Sequence, residues 1–415
     1  MSLRAVLPMR ERAEVILRNL RRRLEVVLPA AMRESGVDMW IILCQEDDLD
    51  PIYSMLIPMD AWCPILQMLV FHDDGERVGG LSISGTDTKD LYARPYRGQK
   101  PEEQWPILTG LVAERKPKRI AVNIGSVQWA AGGLTHNLYH QLVTHLPPGY
   151  AERLVSAEPL VTHFASTLTD RDIETFTHVV EVAKAIIAQC YSRESITPGT
   201  TTTTDLEWLY WQTCADHGLE VAFRPYFSIR RSPMDVAIHD VSDRIIRQGD
   251  FLHCDVGIRY LRLNSDHQQW AYVLQDGETD APNGARELLC QANRLQDVFM
   301  SEFRVGMTGN ELLARILARA RAEGIPEPRV YSHSLGCFLH EPGPLIGLPW
   351  EQERCEGRGD VRLRYGNAFT MELSVTGPLP EWDGAPLCMS VEEDVVFAPD
   401  GCHVIGERQQ RFHIV

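Results

Sequence analysis

Asp255 and Asp266 lie in GDFLHCDVGIRYLRLNSDHQQW (249–270), inside apolar, strand-like sequence that should exclude carboxylates. A tight hairpin centred between Tyr260 and Leu261 would pair them directly. Opposed residues share one face, with Cβ atoms about 4.5–5.5 Å apart, and two like charges there are destabilising unless something positive lies between them. Taken alone, the pair also reads as solvent-facing edge aspartates or one salt bridge. Other titratable groups stand where core residues are expected. VYSHSLGCFLHEPGP carries His333 and His340, NAFTMELSV carries Glu372, and CMSVEEDVVF carries Glu392 and Glu393. A buried carboxylate is costly unless paired or bound to a cation. Asp255, Asp266, Glu372 and one glutamate of the last pair give a charge of −4, which two divalent cations would neutralise. With one imidazole added, the set is hard and oxygen-rich, suited to two bridged metals.

The elements that must position these groups fall in the second half of the chain. Thr169 and Asp172 form an N-cap and N3 pair for a helix beginning DRDIETFTHVV, and a TPGTTTT linker leads to a helix from Asp205. A strand near VAFRPYFSI, the aspartate segment, helices after Gly284 and around 310–323, and a strand-rich end to Phe397 complete it. The order is helices, then acidic strands, twice over, without a literal repeat.

The first ~165 residues alternate helical and strand-like segments and predict a separate α/β domain. A helix around 9–35 ends at Gly36 and precedes the strand VDMWIIL. PILQMLVF and ERVGGLSIS flank Asp74-Gly75, a hairpin signal. KRIAVNIG is another buried strand, with a helix expected after Gly125. No G-x-G-x-x-G follows a strand, and there is no phosphate-binding loop or nucleophile elbow. The expected domains are 1–165 and 166–415.

At 415 residues and net charge −16, the chain is long enough for two domains and repels phosphate backbones, which argues against nucleic acid. Arg21-Arg22-Arg23 lies in an amphipathic helical stretch and reads as a solvated helix face. Ten scattered cysteines without a C-x-x-C fit a reducing compartment. No apolar run approaches the ~18 residues of a membrane span, and the charged N-terminus lacks a signal-peptide pattern. A cytoplasmic protein is expected.

Asp255, Asp266, His333, Glu372 and a glutamate of the last pair occur in the order and contexts of the five metal ligands of the pita-bread metallopeptidases. The chain resembles that family, which includes methionine aminopeptidase, aminopeptidase P, prolidase and creatinase. GDFLHCDVG resembles its first aspartate strand, SHSLGCFLHEPGP its histidine motif, and FTMEL and VEEDVVF its glutamate strands. Glu392, between Val391 and Val395, fits the last ligand best, with Glu393 the fallback. AIHDVSDRIIRQGD resembles the segment bearing a substrate-side histidine, here His239. The resemblance covers roughly 165–405, and the preceding domain is similar to that of the creatinase, prolidase and aminopeptidase P branch.

The resemblance implies a creatinase-like α/β N-terminal domain followed by an α+β pita-bread catalytic domain. It implies two divalent ions, Mn²⁺ first, with Co²⁺, Zn²⁺ or Fe²⁺ admissible. Asp255 would chelate one ion, Asp266 and Glu392 would bridge both, and His333 and Glu372 would complete the other shell. A water shared by the ions would attack the scissile amide. Glu372 would shuttle the proton, His340 would donate to the oxyanion, and His239 would contact the amide. An Xaa-Pro aminopeptidase or dipeptidase acting on small peptides is expected, in a homodimer. Other readings are a creatinase-like C–N hydrolase or lyase on a non-peptide amide, and a silent peptide- or protein-binding module. The chain departs from the family where Gln268 replaces a threonine bracing the metal shell and Gln269 an arginine. Further departures are Leu373 for a proline, Arg262 for a glycine, SHSLG for a Gly-His-Gly form, and Ser390 for a prolidase arginine.

Overall fold

A computed structural model describes residues 6–98 and 100–415. Contacts divide the chain into two compact units, Leu7–Asp172 with Glu341–Gly343, and Ile173–His340 with Pro344–Val415.

The first unit holds helices α1 (Met9–Glu34), α2 (Pro51–Met55), α3 (Gln104–Arg115), α4 (His136–His145) and α5 (Glu158–Ser166). Its strands are β1 (Met39–Gln45), β2 (Leu66–Asp73), β3 (Val78–Ser82), β4 (Ile120–Val122) and β5 (Leu154–Ser156), ordered β3-β2-β1-β4-β5. β2 and β3 are antiparallel across the Asp74-Gly75 turn, while β1, β4 and β5 run parallel. One face buries Met39, Ile41 and Leu43 with Leu108 and Val112 of α3 and Leu138 and Leu142 of α4. On the other, Trp40 packs on Phe71 and Phe164. Within the arginine cluster of α1, Arg21 is exposed as expected of a solvated face, whereas Arg23 departs from that expectation. Arg23 is buried and pairs with Asp172 at 2.8 Å, also donating to Thr167 O. Its amphipathic neighbours hid this, because the pairing carboxylate lies far along the chain.

The second unit takes most of α6 (Asp170–Cys190), then α7 (Thr203–Asp216), α8 (Pro233–His239), α9 (Asn283–Ser301) and α10 (Gly309–Ala322). Thr169 and Asp172 form the expected reciprocal cap, and Thr202 with Asp205 forms another, so Asp205 is the third residue of its helix rather than the first. The strands are β6 (Glu220–Val221), β7 (Tyr226–Arg230), β8 (Phe251–Val256), β9 (Ile258–Tyr260), β10 (Leu263–Asn264) and β11 (His267–Tyr272). There follow β12 (Arg329–His333), β13 (Leu345–Ile346), β14 (Ala368–Pro378), β15 (Pro386–Ala398), β16 (Gly401–Val404) and β17 (His413–Ile414). The main sheet runs β13-β12-β14-β15-β11-β8-β7, with β16 beside β15 and β17 beside β11.

β14 shows how sequence sets this sheet. Phe369, Met371, Leu373 and Val375 join one core with Leu289 and Leu295 of α9 and Ile316 of α10. The alternate residues Thr370, Glu372, Ser374 and Thr376 must therefore face the other way. β15 repeats the pattern, with Met389, Val391 and Val395 in that core.

Candidate metal centre

The hairpin bearing the two aspartates has a different register from the expected one. Asp255 opposes Gln268, not Asp266, and Tyr260 opposes Leu263, so the turn centres on Leu261-Arg262. Both turn residues have positive φ, 52° and 64°, the conformation of a two-residue hairpin turn. Without an Asn-Gly pair the turn carried no signal. The two-residue shift preserves the side-chain alternation, so Asp255 and Asp266 remain on one face as diagonal neighbours. Gly257 permits the strands to close there, since a Cβ would lie 2.1 Å from Ser265 O.

Registers across the sheet align one row of side chains. Tyr331 opposes Glu372, Glu372 opposes Glu392, Glu392 opposes Gln268, and Gln268 opposes Asp255. His333 stands two residues along β12 from Tyr331, and Asp266 two residues before Gln268, just ahead of β11, so both lie in the adjacent row, where His333 N donates to Thr370 Oγ1 and Asp266 N to the Asp394 carboxylate. Nε2 of His333 lies 3.8 Å from Oδ2 of Asp266. Asp266, His333 and Glu392 each offer a ligand atom within 4.8 Å of the others.

Burial and mutual repulsion make this cluster proton-hungry. Loss of hydration pushes Asp255 up to about 6 and Glu372 up to about 7, the latter also through Asp255. Asp266 and Glu392 rise well above the carboxylate range, first through burial and then through neighbouring carboxylates. Burial holds His333 down to about 3, so its imidazole is neutral. Oδ1 of Asp266 and Oε1 of Glu392 are buried without a hydrogen-bond partner among the described residues. Buried oxygens without donors, beside a neutral imidazole, suit divalent cations.

Glu393 points to the opposite face, pairing with Lys184 Nζ at 2.5 Å and accepting from Gln409 N. Glu392, not Glu393, joins the cluster. The ring of His340 lies 4.5 Å from that of His333 and reaches solvent. His239 ends α8, half-buried, and its side chain has no hydrogen bond or ion pair to the cluster among the described residues. Gln269 turns away, its Oε1 on Nε2 of His413 at 2.8 Å.

Three buried polar residues were missed: His253, Gln268 in its actual role, and Asp394. Their signal was alternation, since each stands two positions from a suspected ligand and so on the same face. A cavity of about 230 Å³ adjoins Glu372, lined by Tyr331, Arg329, Ser374, Ser390 and Cys388.

Metallopeptidase family M24 matches residues 174–398. No curated protein matches the chain. The fold is similar to that of an X-Pro aminopeptidase from Thermotoga maritima, at 18% identity and TM-score 0.65, covering 93% of this chain and 100% of that one. A Bacillus anthracis Xaa-Pro dipeptidase matches at 17% identity and TM-score 0.59, covering 96% and 100%. A Pyrococcus horikoshii prolidase matches at 15% and 0.57, covering 96% and 99%. These likenesses extend through the N-terminal unit and agree with the expected pita-bread architecture. Among the described residues no helix is long and apolar enough to cross a membrane. With its acidic strands in a shared sheet and its matched span exceeding half its length, the chain belongs to metallopeptidase family M24.

Proposed function

We propose that the protein is a dinuclear metal-dependent Xaa-Pro-type aminopeptidase or dipeptidase. The observation that carries this reading is the convergence of Asp255, Asp266, Glu372 and Glu392 with neutral His333 on two adjacent rows of one sheet. Asp266 and Glu392 would bridge two cations, Asp255 would serve one, and His333 and Glu372 the other. Mn²⁺ is the first candidate, with Co²⁺, Zn²⁺ and Fe²⁺ chemically admissible. Bound cations would supply Lewis acidity and an activated water near neutral pH.

The chain's own groups then divide the remaining work. Glu372 would take up a proton from the attacking water and pass it to the leaving nitrogen. His340 donates to the oxyanion of the attacked carbonyl. The cavity beside Glu372 receives the peptide, and His239 contacts the scissile amide once substrate is present. The relatives named for X-Pro and Xaa-Pro substrates support the substrate class.

The test is metal analysis followed by hydrolysis of Xaa-Pro dipeptides and Xaa-Pro-Xaa tripeptides. Protein holding two ions per chain but inert across that panel would redirect the reading to a non-peptide amide. A cytoplasmic homodimer completes the proposal, and a monomer in sedimentation at micromolar concentration would remove the dimer from it.

A further inference from the structure

Gln268 is buried in the middle of the transverse row. Its Nε2 donates to Oε1 of Glu372 at 2.8 Å and to Oε2 of Glu392 at 2.9 Å. Its Oε1 meets Nε2 of His253 at 3.0 Å. The amide has two N–H donors and one carbonyl, so this orientation satisfies all three contacts. The flipped amide would press its carbonyl against two carboxylates. For His253 to meet a carbonyl, its Nε2 must carry the proton. Nδ1 is buried without a partner among the described residues, and the ring packs on Trp270 at 4.8 Å.

We infer that Gln268 is a positioning residue that clamps Glu372 and Glu392 at a fixed separation, and that His253 acts through it by locking the amide orientation. The inference rests on the proposed cation-binding role of the two glutamates. The clamp occupies one named oxygen of each and leaves Oε1 of Glu392 without a donor. Two opposed carboxylates that would otherwise repel are thus held side by side before a cation arrives. Nothing else among the described side chains donates to both. Partners of this kind, once removed, typically cost 10–100-fold in metal affinity.

The experiment uses full-length protein stripped of metal, titrated calorimetrically with Mn²⁺, alongside thermal melts of the metal-free form. Gln268→Met, length-matched but without donors, should weaken Mn²⁺ binding by roughly 10–100-fold while retaining stoichiometry. Gln268→Ala should do the same, so a folding failure in one variant leaves the other informative. His253→Phe should weaken binding in the same direction by less. Added to Gln268→Met, it should cause no further loss, because its effect passes through the amide. Melts that fall in the Gln268 variants while Mn²⁺ affinity stays at the wild-type value would overturn the clamp. An additive loss in the double variant would overturn the route through His253. Wild-type protein that binds none of Mn²⁺, Co²⁺, Zn²⁺ and Fe²⁺ in the same titration would overturn the cation reading itself, an outcome separable from the others.

Discussion

Glu372 on β14 and Glu392 on β15 stand directly opposite one another on a buried antiparallel pair. Like charges so placed oppose folding, so these residues are retained at the expense of stability. Glu392→Gln should raise the stability of the metal-free protein by about 1 kcal/mol while abolishing two-ion loading. Denaturant melts and metal content check both halves, and a variant that is destabilised yet fully loaded contradicts the assignment.

The metal-free protein should lose stability as pH rises. Asp255 and Glu372 bind protons more tightly folded than unfolded, with folded values of about 6 and about 7. Their favourable contribution is therefore complete below the unfolded carboxylate range and is lost as pH climbs to about 7. Melting temperature of the stripped protein should fall from pH 5 to pH 8. Cations compete with those protons, so the loaded protein should show a smaller fall and release protons on loading. A stripped protein whose stability rises over that range would mean the carboxylates are not buried together.

Glu393 gives a control within the same strand. Its partner Lys184 is largely buried, with side-chain exposure of 18%. Glu393→Ala should cost about 3 kcal/mol yet leave metal stoichiometry unchanged. Asp266→Ala and Glu392→Ala should both prevent binuclear loading. Loss of metal in Glu393→Ala at a temperature where it remains folded would reopen the choice between the two glutamates.

His340 and His333 separate donor from ligand. His340→Ala should leave metal content intact and lower kcat by about 10²–10³-fold, whereas His333→Ala should impair loading as well as rate. Plasma emission alongside turnover reads both. Equal metal loss in the two variants, or unchanged turnover in His340→Ala, would remove the assigned roles.

What could be read in the sequence was alternation and order. Glu372 between Met371 and Leu373, and Glu392 between Val391 and Glu393, already announced carboxylates opposite an apolar face. The offset of the aspartates was not legible, because Leu261 and Arg262 adopt positive φ without glycine or asparagine. Arg23 was misread because its partner Asp172 lies 149 positions away. Gln268 was visible as a departure, but its reach to two glutamates depends on a strand order that no local pattern specifies.

The run Glu392-Glu393-Asp394 has a consequence for how errors in folding would be caught. If β15 slid by one residue against β14, the cluster face would still receive a carboxylate, Glu393, so charge within the cluster would scarcely detect the mistake. Detection falls to Met389, Val391 and Val395, which a slip would expel from the helix-covered core. Fidelity of the cation cluster is thus written in residues that never approach it. Polar substitution at Val391 should therefore degrade the site by admitting misregistered chains, a defect visible as a subpopulation unable to load metal rather than as uniformly weaker binding.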